Sequence, residues 1–133
     1  MPDLPLTGGC LCGAVRYVAE GEPVNVRACH CRKCQKATGG VFYARARYPQ
    51  PAVSIEGETK GYPSSDRIER VFCPKCGTTL FSRSVDGSMI GVSLPTLDDQ
   101  AALAPTEHIF VDDKAPWLTL CDGLPEYPEF APT

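Results

Sequence analysis

The chain has 133 residues and a formal net charge of −3, enough for one domain over 1–133 with a core of its own and too acidic for a general nucleic-acid binder. No apolar run approaches the ~20 residues of a membrane span, and the opening MPDLPLTGG lacks the basic head and apolar core of a secretory signal. These features predict a cytoplasmic protein, where eight cysteines read as metal ligands before they read as a disulfide framework.

The elements follow a mostly two-residue period. GAVRYVAEG (13–21) alternates and stops at glycine. VNVRACHC (24–31) reads as a strand running into a cysteine cluster, and RKCQKATG (32–39) as a short helix closed by Gly39. VFYARARY (41–48) puts Tyr43, Arg45 and Arg47 on one face and Ala44, Ala46 and Tyr48 on the other, before PQP breaks it. AVSIEG (52–57) and KGYP (60–63) are further short strands. In RIERVFC (67–73), Ile68 and Val71 fall out of alternation, which predicts a bulge. TTLFSRS (78–84) and SMIGVSL (88–94) flank Asp86-Gly87, a hairpin signal. TLDDQAAL (96–103) is the best helix candidate, capped by Thr96 or Asp98. EHIFVDD (107–113) reads as a strand and the proline-rich tail as irregular. Short, frequent strands with one or two short helices give a mainly β fold.

The cysteines are grouped. Cys10 and Cys12 form C-x-C, Cys29, Cys31 and Cys34 form C-x-C-x-x-C, Cys73 and Cys76 form CPKCG, and Cys121 stands alone. A structural zinc takes four thiolates in a tetrahedron. CPKCG supplies two and leaves room for the tight turn at Gly77; Cys10 and Cys12, followed by Gly13, supply the other two. The remaining trio can hold a second zinc with one position open, the arrangement of catalytic zinc sites. Three alternatives for a fourth ligand remain at this stage: Cys121, His30 and His108. His30 lies between two proposed ligands, which turns its ring away from them, and His108 fits a packed or hydrogen-bonded residue. A redox role is disfavoured because neither C-x-x-C follows a thioredoxin-like strand–helix pattern. Arg27, Arg32, Lys33 and Lys36 surround the trio, where positive charge favours thiolates and attracts anions. Trp117, the only tryptophan, reads as core.

The segments GGCLCGAVRY (8–17), CHCRKCQKATG (29–39), FCPKCGTTLF (72–81), HIFVDDKAPW (108–117) and DGLPEY (122–127) resemble, in order and across nearly the whole chain, the glutathione-dependent formaldehyde-activating enzyme family, whose relatives include centromere protein V. The resemblance implies an Mss4-like fold of antiparallel sheets around a structural zinc. It assigns Cys10, Cys12, Cys73 and Cys76 to that zinc, and Cys29, Cys31 and Cys34 to a catalytic one. It implies a carbon–sulfur lyase that joins glutathione and formaldehyde into S-hydroxymethylglutathione, so its partners are a small thiol and a small aldehyde. The rival reading is a non-catalytic zinc module for protein or nucleic-acid partners, the latter against the acidic charge. Three thiolates near the surface oxidise more readily than four that are closed, so an empty or disulfide-linked trio is an expected state of the second site.

Overall fold

The computed structural model describes residues 5–132. Strands β1 (Leu6–Gly9), β2 (Arg16–Ala19) and β5 (Val53–Glu56) form a three-stranded antiparallel sheet in the order β1-β2-β5. Strands β3 (Asn25–Cys29), β4 (Tyr43–Pro49), β6 (Lys60–Pro63), β7 (Ile68–Phe72), β8 (Thr79–Ser84), β9 (Met89–Ser93) and β10 (Glu107–Ile109) form the larger sheet, ordered β10-β3-β4-β9-β8-β7-β6. All its pairs are antiparallel except β10 with β3, which is parallel. The α-helix, α1 (Arg32–Thr38), follows β3 directly and ends on Gly39 in the left-handed conformation. The fold is mainly β, and the bulge expected in 67–73 occurs as a register shift between Val71 and Phe72.

The alternation of β4 decides where each of its faces goes. Ala46 and Tyr48 point into the core between the sheets, with Val92 and Ile90 from β9 and Leu80 and Phe81 from β8. Tyr17 of β2 meets Phe81 edge-on, with ring centroids 5.3 Å apart and planes at 72°. Each such side chain contributes about 1.5–3 kcal/mol on burial. Cys10 and Cys73 belong to this core. Tyr43 faces the other way and helps to form a second cluster with Cys29, Cys34 and Ile109, flanked by Cys31, Phe110 and Tyr127. One strand therefore links the core to the three-cysteine run.

Three expectations fail: the strand read over 107–113 ends at Ile109, where Phe110 in the left-handed conformation leads into a 3-10 turn at Val111–Asp113. The helix over 96–103 does not form; a single 3-10 turn at Leu94–Thr96 is followed by turns. Its would-be caps are recruited by the small sheet: Thr96 Oγ1 is 2.7 Å from Tyr17 Oη, and Asp98 accepts from Thr7 Oγ1 (2.7 Å) and Arg16 Nη1 (3.0 Å). Leu97 also bridges to Gly8. Trp117 is 74% exposed rather than core, because the Ala115–Leu118 turn, closed by a 3.0 Å backbone bond, directs it outward. β1 had no signal in the sequence, since two of its four residues are glycine. No helix among the described residues is long and apolar enough to cross a membrane.

Candidate metal centres

The loop between β1 and β2 carries Cys10 and Cys12, and the loop between β7 and β8 carries Cys73 and Cys76. All four sulfurs lie within 4.8 Å of one another. Cys10 and Cys12 are 3.6 Å apart and Cys12 and Cys73 3.8 Å. A tetrahedron with metal–sulfur bonds near 2.3 Å has an edge of about 3.8 Å, so the donor set fits a zinc-sized thiophilic ion. Each loop turns back on itself at a glycine with positive φ: Gly13 at 79° and Gly77 at 78°. Their amides donate to the carbonyls of Cys10 (3.1 Å) and Cys73 (2.8 Å). That conformation strains any residue with a Cβ, which explains a glycine after each pair. Thr78 joins the two loops. Its Oγ1 accepts from the Leu11 amide (3.0 Å) and lies 3.2 Å from Cys76 Sγ. Contacts from the Thr78 hydroxyl and backbone hold the Cys76 thiol down to about 5, which favours the thiolate.

The trio is arranged by the β3–α1 junction. Cys29 ends β3, Cys31 is the N-cap of α1, and Cys34 sits one turn on. The sulfurs again lie within 4.8 Å of one another. Cys31 Sγ accepts from the Cys34 amide at 3.3 Å, satisfying one of the free N–H groups at the start of the helix. Hydrogen bonds from the Cys29 and Cys34 thiols hold Cys31 down to about 2, and the bond to Cys31 pushes Cys29 up. Three thiolates this close repel one another unless a cation lies between them. Cys29 and Cys34 are buried and Cys31 half-buried, so solvent reaches the cluster from the Cys31 side. Arg70 on β7 caps the opposite sulfur: Nη1 and Nη2 are each 3.6 Å from Cys34 Sγ. Burial alone opposes the charge on Arg70, and the Cys34 sulfur more than offsets it.

Among the described residues, no fourth side chain joins the trio. Cys121 is exposed and outside it. His30 is fully buried, and its Nε2 lies 2.8 Å from His108 Nδ1. His108 Nε2 is 2.7 Å from Asp122 Oδ2. A carboxylate only accepts, so neutral His108 carries its proton on Nε2, and His30 donates from its own Nε2. Burial pushes His30 down to about 4, so the ring stays neutral at pH 7. The Cys29–Cys31 linker is clamped from two further sides. The His30 amide donates to Ile109 O (3.0 Å), and Gln35 Nε2 donates to His30 O (2.7 Å) and Asp113 O (2.9 Å).

The four basic residues expected around the trio divide. Arg27 pairs with Glu107 at 3.6 Å and Arg32 Nη1 donates to Gln35 Oε1 at 2.8 Å. Lys33 and Lys36 line a cavity beside α1. Arg45 Nη1 donates to Asn25 Oδ1 at 2.6 Å. Sequence reading missed Arg70, Gln35, Asp122 and Thr78. Gln35, directly after Cys34, and Thr78, two residues after Cys76, lie beside the cysteine motifs; Arg70 is 36 residues from Cys34.

A family model described as glutathione-dependent formaldehyde-activating enzyme matches residues 5–113, which include all seven clustered cysteines. The chain is 36% identical over 80 residues to an uncharacterised lyase of Schizosaccharomyces pombe, covering 60% of this chain and 58% of that one. It is 32% identical over 89 residues to an Aspergillus flavus protein provisionally named a glutathione-dependent formaldehyde-activating enzyme, covering 61% and 47%. A Halomonas elongata protein with the same provisional name is 27% identical over 128 residues, covering 86% and 80%. The match thus spans about half the length of the first two relatives. A crystal structure of a Rhodobacter sphaeroides protein has the same fold, with a TM-score of 0.57 at 24% identity, covering 70% of this chain and 88% of that chain. With both cysteine clusters inside the matched region and assembled in space, the chain belongs to the glutathione-dependent formaldehyde-activating enzyme family.

Proposed function

We propose that Cys10, Cys12, Cys73 and Cys76 hold a structural zinc, that Cys29, Cys31 and Cys34 hold a second, catalytic zinc, and that the protein is a carbon–sulfur lyase of the S-hydroxymethylglutathione synthase type. It adds a thiol such as glutathione to a small aldehyde such as formaldehyde, in a reducing compartment such as the cytoplasm. The observation that carries this reading is the unequal ligand count: four sulfurs gather at one site and three at the other, with no further Cys, His, Asp or Glu beside the three among the described residues. A zinc bound by three thiolates acidifies a thiol that reaches it and polarises a carbonyl oxygen.

The protein's own groups supply position and charge balance. Cys31 at the helix cap and Cys34 on the first turn keep two sulfurs at fixed spacing. The guanidinium of Arg70 offsets one negative charge. Tyr43 and Ile109 shield the inner side from water, so reactants approach past Cys31. In the reaction, the thiol sulfur forms a bond to the aldehyde carbon, the carbonyl π bond breaks, and the thiol proton ends on the new hydroxyl. The reverse reaction is the lyase direction.

Thiol and aldehyde also combine without a catalyst, so the test is exchange at equilibrium. Exchange spectroscopy with ¹³C-formaldehyde and glutathione should show faster interconversion with the zinc-loaded protein, and the acceleration should vanish in Cys31→Ala. Two zincs per folded chain with no acceleration over buffer would leave a zinc-binding module and remove the enzyme.

A further inference from the structure

The face of β4 that carries Tyr43 also carries Arg45 and Arg47. Sheet register sets Arg47 opposite Gly91 of β9, and Gly91 opposite Ser82 of β8. Directly opposed residues share a face and each strand adds about 4.8 Å, so Arg47 and Ser82 flank a gap of about 10 Å whose floor has no side chain. A Cβ at Gly91 would lie 2.5 Å from Ser82 Oγ and 3.0 Å from Arg45 Cδ, so any larger residue there displaces both polar groups. A cavity of about 170 Å³ occupies this place, with Arg45, Arg47, Ser82 and Ser84 as its polar lining. The Arg47 guanidinium makes no hydrogen bond or ion pair among the described residues, and Arg45 Nη1 donates only to the neutral Asn25 Oδ1 at 2.6 Å. Asp86 feels the Arg47 charge, but its Oδ1 accepts from the Ser88 amide (2.9 Å) and hydroxyl (2.6 Å). Burial opposes the Arg45 charge; Tyr43 and Cys29 offset only part of this, and Arg27 and Arg47 add to it. Two guanidiniums held together in a partly buried pocket repel, and an anion between them removes that cost.

We propose that this cavity binds a small organic carboxylate, held by the N–H groups of Arg45 and Arg47 and the hydroxyls of Ser82 and Ser84. The planar fork of a guanidinium pairs with a carboxylate through two parallel hydrogen bonds. Ile68, Met89 and Phe130 form the apolar walls, which suit a carbon skeleton better than a bare inorganic ion. At about 30 Å³ per water the space holds roughly six waters, the room taken by an acid of about three to five carbons and less than a tripeptide needs. None of the seven clustered cysteines lines it. Arg47 stands four residues along β4 from Tyr43, which packs on the trio, a distance of about 14 Å at the rise of a strand. The ligand is therefore a molecule other than the thiol that reacts at the trio, and its binding does not depend on that reaction.

The test is a chemical-shift titration of the zinc-loaded full chain at constant ionic strength, with succinate as the probe and succinamide, its neutral diamide, as the control. Succinate should give saturable shifts centred on the amides of Ser82, Ser84 and Gly91, and succinamide none. Arg47→Gln removes a cation and no hydrogen bond among the described residues, so the fold is kept; it should weaken succinate about 10-fold. Ser84→Ala, which removes a hydroxyl and no charge, should weaken it about 3-fold. Arg67→Gln removes the same charge from an exposed residue that lines the neighbouring cavity instead, and should leave the affinity within about 2-fold. No saturable binding to the wild type, equal weakening by Arg47→Gln and Arg67→Gln, or equal binding of succinamide overturns the proposal. Inorganic phosphate is titrated in parallel, and tighter binding of phosphate than of succinate overturns the assignment to an organic carboxylate. Succinate carries no thiol, so failure here leaves the reaction proposed for the trio untouched.

Discussion

Replacing Cys73 with alanine should unfold the chain far more readily than replacing Cys31, and the geometry gives the difference. Cys73 is 1% exposed, part of the main core, and its sulfur faces Cys12 across 61 residues of sequence. Treated as a cross-link closing a loop of that length, the quartet contributes about 4 kcal/mol from chain entropy alone. The lost side-chain packing adds about 1 kcal/mol. A domain of this size has a total stability of roughly 7–20 kcal/mol, so the loss takes a large fraction of it. With an unfolding entropy near 2.1 cal/mol/K per residue, a 5 kcal/mol loss lowers Tm by about 15–20 °C. Cys31 belongs to a cluster that closes only a few residues, and its removal costs mainly the helix cap, about 0.5–1 kcal/mol. That corresponds to about 2–4 °C. The assay is thermal unfolding of zinc-loaded proteins followed by circular dichroism. Equal drops for the two variants, or a larger one for Cys31→Ala, would refute the division into structural and catalytic clusters.

A mild chelator should remove one zinc per chain and leave the other, since three ligands hold metal less securely than four; two equally resistant zincs, counted by metal analysis, would contradict this. His108→Leu should destabilise the protein by about 1–3 kcal/mol in denaturant titration, because it strands the fully buried His30 ring without its partner. Tyr48→Phe should be neutral or raise Tm: the Tyr48 hydroxyl is buried without a hydrogen-bond partner, and removing it relieves that cost. Asp98→Asn should cost about 0.5 kcal/mol at pH 7, a small figure because solvent screens the half-exposed Arg16–Asp98 pair. The hydrogen bond from Arg16 holds the Asp98 carboxyl below its ordinary value of 3.8, so this stability is present above that pH. It is lost as pH falls through the lowered value, and the gap between the two proteins should close under more acidic conditions.

The sequence by itself determined the mainly β character and the partition of seven cysteines into a quartet and a trio. Both are local properties. A C-x-C or C-x-x-C followed by glycine fixes two sulfurs on one turn wherever that turn ends up, and the short helix after Cys31 is written in the i, i+3 spacing of Cys31 and Cys34. Tertiary structure decided what surrounds those sulfurs. Arg70 reaches Cys34 only because the strand order brings β7 beside α1, and His108 meets His30 across 78 residues only because β10 pairs parallel to β3. The same competition undid the expected helix at 96–103, whose capping side chains gain more by binding Tyr17, Thr7 and Arg16 of the small sheet. Contacts between distant segments depend on sheet order and register, which no short stretch of sequence contains. For that reason the two sulfur clusters were legible from the chain, and the counter-charge of Arg70 beside Cys34 was not.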